Sequence, residues 1–530
     1  MSGEGSLQVE LYDTTLRDGA QGTGLSYSIE DRLRILHKID QLGVPYIEGG
    51  WPGANPRDTE FFKLATKETL RHATLTSFGM TRKAGERAGS SAVLRELLDT
   101  GTEVVCIVGK SSDVHVKGAL HADLEEGVAM VRDSVAFLCG QGRRVFFDAE
   151  HFFDGYRSNP SFAMSVLEAA QEGGAERLVL CDTNGGMLPV DIAGIVDEVR
   201  VRIDGRLGIH VHNDAGCAVA NSLIAVDHGV FQVQGVVNGY GERTGNADLI
   251  PIAADLVLKM GADCLPEGAV AHLTEVAHYV AEVANVAPDP HQPYAGRYAF
   301  THKAGLHASG VARFAQAYEH VPPESVGNRR GVVASDLGGA ATLRMKAAEF
   351  GVDVPDADVA GVLQELKERE ARGYTFEAAD ASLELMMRRT AGWTQPFFSV
   401  ESFRVHVEQR ADEEQGTLAE ATVKVVTNGS RHIESAEGRG PVGALDNALR
   451  KALANEYPAL EHMSLEDYRV RVLDETHGTG AVVRVLIDTS DGEREWTTVG
   501  VSENIIEASW EALTDAYLFG LLHPREVPED

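Results

Sequence analysis

The chain has 530 residues, which exceeds the usual size of a single domain and predicts two or three domains, each with its own core. Asp and Glu number 80 against 48 Lys and Arg, giving a formal net charge of -32. Nucleic acids and anionic membranes bind basic patches, so this acidic balance predicts neither kind of partner.

Cysteine usage and the N-terminal segment predict the compartment. The five cysteines form no CxxC pair and no regular spacing, so we expect reduced thiols in a cytoplasmic protein rather than a disulfide framework. The opening stretch MSGEGSLQVELYD lacks the basic segment and apolar core of a signal peptide. No apolar run approaches the length that crosses a bilayer.

Short apolar strands alternate with longer amphipathic segments over residues 1–285. Eight strands are predicted, at residues 9–12, 46–50, 73–78, 103–109, 144–150, 177–182, 207–212 and 231–239. Between the first two, SIEDRLRILHKIDQLG predicts a helix with Ser28 as N-cap and Gly43 as C-terminal stop. Eight such alternations predict an α/β fold, a (β/α)₈ TIM barrel forming the catalytic domain, with a doubly wound open sheet as the alternative.

Polar side chains recur just after the carboxyl ends of these strands, where TIM barrels place their active sites. They are Arg17, Asp18, Glu48, Ser77, Glu150, His151, Asp182, Thr183, Asn184, His210, His212, Glu242, Arg243 and Asn246. Each one alone also fits a helix cap or a polar loop position. Their joint placement at one rim predicts an active site.

The stretch GIHVHND, residues 208–214, places two histidines on one face of a strand, because successive strand side chains alternate. Such a pair either binds a metal or lines a polar surface. Together with the carboxylate of Asp18, His210 and His212 form a set that suits Zn²⁺, Mn²⁺ or Fe²⁺, and Mg²⁺ when water and substrate oxygens complete it. A chelating 2-oxo acid would fill the open positions.

The remainder of the chain has a different pattern. APDPHQP marks a boundary, and residues 286–394 are predicted to form a linker region with helical segments such as VAGVLQELKERE. Residues 395–530 contain a strand-strand-strand-helix unit twice, at an offset of roughly sixty residues. This duplicated βββα unit predicts an α+β C-terminal domain, which at its simplest is a dimerisation module.

Seven motifs in order resemble the 2-isopropylmalate, homocitrate and citramalate synthase family, and the similarity runs from about residue 7 almost to the C-terminus. They are LYDTTLRDGAQG, YIEGGWPGANP, DAEHFFDGY, CDTNGGMLP, HVHNDAGCAVANS, VVNGYGERTGNADL and FTHKAGLHASG. Within the family, EGGWPG, DAEHFFDGY and NGYGER are most similar to the citramalate synthases. The resemblance implies a Claisen-type condensation of acetyl-CoA with a 2-oxo acid, here pyruvate, followed by thioester hydrolysis, in isoleucine biosynthesis.

The resemblance also implies roles for individual residues. Asp18, His210 and His212 match the metal ligands, with Asn246 as a further, weaker ligand. Arg17 matches the arginine on the keto oxygen, and Thr183 matches the hydroxyl that binds the substrate carboxylate.

Further roles concern the acetyl group and the rest of the substrate pocket. Glu150 matches a glutamate near the reacting carbon, and His307 matches a histidine that acts on the acetyl-CoA half of the reaction. We expect Glu48, Phe78 and His302 to contact substrate, the last from a linker region that often completes the partner subunit's site. Phe78 is either a wall that narrows the pocket toward pyruvate or an ordinary part of the barrel core. At His151 some family members have aspartate, which leaves its role open.

Other interpretations remain open on the sequence. The same chemistry on a bulkier 2-oxo acid would make a 2-isopropylmalate or homocitrate synthase. A metal-dependent acyl-CoA retro-aldol lyase is less compatible with the C-terminal repeat, and an amino-acid sensor with an inactive barrel is less compatible with the filled ligand positions. For the C-terminal domain the resemblance implies a homodimer with a branched-chain amino acid as feedback inhibitor.

Overall fold

A computed structural model of the protein describes residues 7–302, 310, 314–332, 340–395, 397–409, 417–473 and 481–525. The chain divides into two compact units, one of residues 1–300 and 321–330 and the other of residues 301–320 and 331–530. Each unit has hydrophobic core clusters of its own. The domain limits at residues 285 and 394 remain a prediction.

The first unit is built on a closed barrel of eight strands, which confirms the predicted (β/α)₈ fold. Its strands, β1 to β8 in chain order, are Glu10–Asp13, Tyr46–Glu48, Thr74–Met80, Val104–Lys110, Arg144–Glu150, Arg177–Asp182, Arg206–Val211 and Gln232–Gly235. Closure comes from parallel pairing of β8 with β1, where Gln232 lies opposite Glu10. The short strands Leu7–Gln8 and Ala262–Asp263 form a separate parallel pair.

Helices follow the strands around the barrel. They are Ile29–Leu42, Pro56–Ala65, Ala92–Asp99, Asp113–Gly118, Leu124–Gly140, Phe152–Ser158, Pro160–Gly173, Pro189–Arg200, Ala218–Asp227, Leu249–Leu258 and Leu273–Val283. The first begins at Ser28, whose hydroxyl accepts the Asp31 N–H while the Asp31 carboxylate accepts the Ser28 N–H. It ends at Gly43, whose φ of 94° favours glycine. Both predicted ends of this helix are confirmed.

Inside the barrel, buried aromatic and aliphatic side chains fill the space below the carboxyl rim. They are Tyr12, Tyr46, Phe78, Val104, Cys106 and Phe146. A larger cluster fills the layer between strands and helices.

The eighth predicted strand, residues 231–239, is too long. β8 ends at Gly235, and Val237–Gly239 forms a 3₁₀ turn in which Asn238 has a left-handed φ of 64°. The side-chain amide of Asn238 donates to the Ala277 carbonyl at 2.8 Å, which holds this turn against a neighbouring helix. Residues 236 and 237 are apolar, so the hydrophobic pattern alone predicts that the strand continues through this turn.

The second unit contains the predicted repeat. An antiparallel sheet of Phe398–Gln409, Thr417–Thr427 and Ser430–Gly438 packs against helix Pro441–Leu453. A second sheet, of Ser464–Val472, Val483–Ser490 and Glu495–Ser502, packs against helix Ile505–Leu522. The predicted duplicated βββα unit is confirmed. Before it come helices Ala340–Glu349, Val359–Ala371 and Asp380–Thr390, and the short strand pair Thr301–His302 and Gly331–Val332.

All five cysteines are free thiols, and Cys106, Cys181 and Cys264 are buried. Among the described residues, every helix is too short or too polar to span a lipid bilayer.

Candidate active site

Three potential metal ligands converge at the carboxyl rim of the barrel. Asp18 follows β1, His210 lies near the end of β7, and His212 comes just after it. The His210 and His212 Nε2 atoms lie 3.4 and 3.9 Å from Asp18 Oδ2, and 3.4 Å from each other. All three side chains are buried, and their donor atoms lie within 4.8 Å of one another.

The electrostatics of this triad suit a cation. Burial, followed by the nearby His210, lowers the pKa of His212 to about 4. Burial opposes ionisation of Asp18, yet the Arg17 guanidinium and the His210 hydrogen bond hold its pKa below the ordinary value. At neutral pH His212 is therefore neutral and Asp18 ionised, which are the protonation states that a metal requires of its ligands. Burial opposes protonation of His210, yet its hydrogen bond to Asp18 raises its pKa, so a cation would replace the proton between these two side chains.

Asn246 adds a buried oxygen beside the triad. It is 2% exposed, forms a β-bridge with His212, and donates from Nδ2 to the Tyr240 carbonyl at 3.1 Å. Its Oδ1 accepts no hydrogen bond within the described residues. A buried amide oxygen without a donor is costly, and a divalent cation would satisfy it. The residues present therefore fit a divalent metal ion.

Arg17 connects the triad to a second buried carboxylate. Its guanidinium donates to Asp18 Oδ2 at 3.1 Å and to Glu48 Oε1, and lies 3.9 Å from the ring centre of Phe78. Glu48 is fully buried, and its other oxygen accepts from the Tyr12 hydroxyl at 2.7 Å. Glu48 was expected to contact substrate, but it does not line the cavity. Its contact with Arg17 orients that guanidinium, and the predicted substrate contact of Glu48 remains a prediction.

A cavity of about 220 Å³ opens over these groups. Its walls comprise Arg17, Asp18, Gln21, Trp51, Phe78, Val108, Asp148, Glu150, Cys181, Thr183, His210, His212, Glu242 and Arg243. The Phe78 ring packs edge-on against Trp51 with ring centres 5.6 Å apart, which gives the cavity an aromatic wall. Phe78 thus belongs both to this wall and to the barrel core.

Thr183 and Glu150 reach the same cavity from neighbouring strand ends. Thr183 Oγ1 accepts the backbone N–H of His151 at 2.9 Å, which leaves its hydroxyl hydrogen to donate elsewhere. The Thr183 carbonyl accepts from Arg243 at 2.8 Å. The carboxylate of Glu150 forms an ion pair with Lys110.

Several groups at the site were missed by the sequence reasoning. Lys110 ends β4 directly opposite Glu150 in the strand register, so aligning the ends of β4 and β5 would have paired them. Asp148 is a buried carboxylate that interrupts the apolar run of β5, and Gln234 is a buried amide that alternates with Val233 on β8. A polar residue inside a predicted barrel strand was the sequence signal for both.

Two predicted histidines belong to the second unit. His302 lies on the short strand Thr301–His302, with Nε2 3.9 Å from Glu319 Oε1. His307 lies outside the described residues. The predicted roles of both remain predictions.

Sequence comparisons extend over nearly the whole chain. The HMGL-like family model matches residues 8–280, the homocitrate synthase post-HMGL domain-like model residues 295–373, and the LeuA allosteric (dimerisation) domain model residues 377–519. A protein of Streptomyces coelicolor named (R)-citramalate synthase is 51% identical over 98% of both chains. The chain belongs to the (R)-citramalate synthase family.

Other relatives that match nearly the whole chain carry this name or that of a related synthase. The (R)-citramalate synthase of Sulfolobus acidocaldarius is 44% identical over 96% of this chain and 95% of its own. A probable 2-isopropylmalate synthase of Methanopyrus kandleri is 31% identical over 95% of this chain and 97% of its own. Both the barrel and the duplicated C-terminal unit are thus shared with relatives of similar length.

Proposed function

We propose that this protein condenses acetyl-CoA with pyruvate and hydrolyses the product thioester, giving (R)-citramalate and CoA for isoleucine biosynthesis. One observation carries the proposal. A single cavity at the barrel rim collects the Asp18, His210 and His212 triad with Arg17, Thr183 and Glu150. Within one small cavity these groups supply a metal site and an arginine to polarise the ketone, a hydroxyl to bind the substrate carboxylate, and a base.

The 2-oxo acid would bind at the triad end of the cavity. A divalent cation held by Asp18, His210, His212 and Asn246 would polarise the ketone and lower the energy of the negative charge that develops on its oxygen. Arg17 would donate to the same oxygen, and its contacts with Glu48 and Phe78 hold it in place beforehand. The Thr183 hydroxyl, which is oriented by the His151 N–H, would donate to the substrate carboxylate.

The acetyl group would react from the side of Glu150. A thioester methyl is a weak carbon acid, so a positioned base is needed to remove its proton. Glu150 is the carboxylate in the cavity that we assign to this step, with His307 acting on the acetyl-CoA half. The methyl carbon then bonds to the keto carbon, the ketone oxygen becomes a hydroxyl on protonation, and water cleaves the thioester to carboxylate and free CoA.

Acyl-CoA is too large for a cavity of about 220 Å³ alone. A second cavity of about 480 Å³ adjoins it and shares Arg17, Gln21 and Trp51. Its other walls include Tyr27 and Arg57. We assign this adjoining space to part of the acetyl-CoA molecule.

Pyruvate is the 2-oxo acid that suits this cavity best. Phe78, Trp51 and Val108 form its apolar side, and we expect this wall to favour the methyl group of pyruvate over a branched substituent. A hydrophobic pocket discriminates one methylene by only about 1–3 kcal/mol, so we expect partial use of 2-oxobutyrate.

Regulation is assigned to the C-terminal repeat, which matches the LeuA allosteric (dimerisation) domain. Two equivalent halves can create a symmetric seam where a second chain docks and a small ligand binds. We propose a homodimer that is inhibited by isoleucine, with leucine as the second choice. Inhibition requires the amino acid to prefer one conformational state, with a coupling free energy of roughly 1–3 kcal/mol.

The test is a substrate panel with the full-length protein. Free CoA would be measured with acetyl-CoA and pyruvate, 2-oxobutyrate, 2-oxoisovalerate or 2-oxoglutarate, in Mn²⁺, Zn²⁺ or Mg²⁺. Preference for pyruvate supports the proposal. Equal efficiency with 2-oxoisovalerate or 2-oxoglutarate would favour a 2-isopropylmalate or homocitrate synthase. Cleavage of a 3-hydroxyacyl-CoA would favour the lyase, and no turnover with any metal would favour the sensor.

A further inference from the structure

A chain of buried polar groups continues from the metal triad into the barrel interior. His210 Nδ1, on the side of the ring away from Asp18, lies 3.0 Å from Gln234 Oε1. The other end of the same amide, Gln234 Nε2, donates to Asp148 Oδ1 at 3.0 Å. His210, Gln234 and Asp148 come from β7, β8 and β5 and are all buried.

The order of donors and acceptors along this chain is fixed by its far end. A carboxylate accepts hydrogen bonds, so the Gln234 amide turns its NH₂ toward Asp148. Its carbonyl oxygen then faces His210 and can only accept, which places the imidazole proton on Nδ1. A cation that replaces the proton between His210 and Asp18 would then meet the Nε2 lone pair of His210, while the Nδ1 proton stays hydrogen-bonded to Gln234.

We propose that Gln234 is a positioning residue that sets the tautomer and ring orientation of His210 for metal binding, with Asp148 setting the orientation of Gln234. This inference rests on the proposed metal site and assigns no substrate contact to Gln234, which does not line the cavity.

The two ligand histidines differ in the hydrogen bonding of their Nδ1 atoms. His212 Nδ1 is buried and has no hydrogen-bond partner within the described residues. Its ring is therefore not held by a comparable chain. His210 is the ligand whose geometry the barrel fixes in advance, and loss of Gln234 should reduce metal affinity through His210.

The experiment measures metal affinity on the full-length, chelator-stripped protein by calorimetric titration with Mn²⁺ or Zn²⁺ alone. Gln234→Met keeps the length of the side chain but removes both polar groups. Gln232→Met is the matched control, since Gln232 is also fully buried on β8 but its amide lies 3.5 Å from Glu10 at the opposite end of the barrel. Circular dichroism and thermal melting check that each variant folds.

A third variant separates hydrogen bonding from packing. In Gln234→Glu combined with Asp148→Asn, the new carboxylate accepts from His210 Nδ1–H and from the new amide. The hydrogen bond between positions 234 and 148 is reversed, but the Nδ1 proton of His210 keeps its place. We expect Q234M to weaken metal binding by about 10- to 100-fold, the usual effect of losing an outer-shell partner. The swapped pair should bind metal more tightly than Q234M, and Q232M should bind like the wild type.

Four results would count against the proposal. Wild-type affinity in Q234M, or an equal loss in Q232M, would overturn the positioning role while leaving the metal site intact. A folded swapped pair that binds no better than Q234M would overturn the hydrogen-bond explanation. If the wild type itself binds no divalent metal, the metal site of the proposed function fails and this inference fails with it. If Q234M does not fold, Gln234→Asn takes its place, because its side chain is one methylene shorter and its amide no longer reaches His210. Its metal affinity is then compared with those of the wild type and Q232M.

Discussion

Replacing Glu48 by glutamine should reduce catalysis by loosening Arg17. Glu48 is fully buried and accepts from both Arg17 and the Tyr12 hydroxyl, so no solvent screens its charge. Glutamine keeps the size of the side chain and a carbonyl oxygen for Arg17. The charge is lost, and the amide NH₂ that replaces the other oxygen can no longer accept from the Tyr12 hydroxyl. A hydrogen bond to a charged group is worth about 1.5–3 kcal/mol, and each 1.36 kcal/mol is tenfold in rate. We therefore expect kcat/KM for pyruvate to fall by about 10- to 150-fold.

The assay is CoA release at varied pyruvate, and the control is Glu10→Gln. Glu10 is another barrel glutamate, and it accepts from Arg177 at 2.7 and 2.8 Å at the amino end of the barrel, away from the cavity. Both variants should lower the free energy of unfolding, because each breaks a shielded ion pair. Only E48Q should lower kcat/KM. Equal kcat/KM in E48Q and E10Q would refute the argument that Glu48 acts through Arg17.

Four other predictions follow from the same structure. Asp18→Ala and His210→Ala should abolish turnover and lower the metal content measured by mass spectrometry. The control is His228→Ala, which removes a partly exposed histidine paired with Asp197 and should retain both turnover and metal. Full metal content in either triad variant would contradict the site. Burial raises the pKa of Asp13 from 3.8 to about 7, so the folded chain binds this proton more tightly than the unfolded chain. The free energy of unfolding, measured by denaturant titration, should therefore fall as pH rises from about 4 to about 7. In Asp13→Asn this contribution to the pH dependence should disappear, and an unchanged pH dependence would contradict the prediction. Phe78→Ala should raise the kcat/KM for 2-oxoisovalerate relative to pyruvate, and an unchanged ratio would assign Phe78 to the barrel core alone. Isoleucine should inhibit the full-length enzyme at concentrations where valine does not, and a lack of effect from isoleucine and leucine alike would leave the repeat as a dimerisation module.

Several features were predictable because neighbours in sequence determine them. The helix Ile29–Leu42 starts and stops where Ser28 and Gly43 place it, since a capping hydroxyl and a left-handed glycine act within one helical turn. The placement of Asp18, His210 and His212 at one rim followed from strand order, because parallel strands in a barrel end on the same side. The end of β8 was mispredicted because the turn at Asn238 depends on a carbonyl 39 residues away.

By itself, the sequence determined the barrel, the duplicated βββα unit and most of the charged side chains at the rim. These depend on periodicity and on which residue follows each strand. Tertiary structure alone decided which of these side chains touch. Closure of β8 onto β1 and the register between strands bring Gln234 to His210, Lys110 to Glu150 and Glu48 to Arg17. Each contact joins residues more than twenty positions apart and therefore forms only once the barrel closes. Closure largely buries the first and last of these contacts, where the lower local dielectric strengthens the hydrogen bonds.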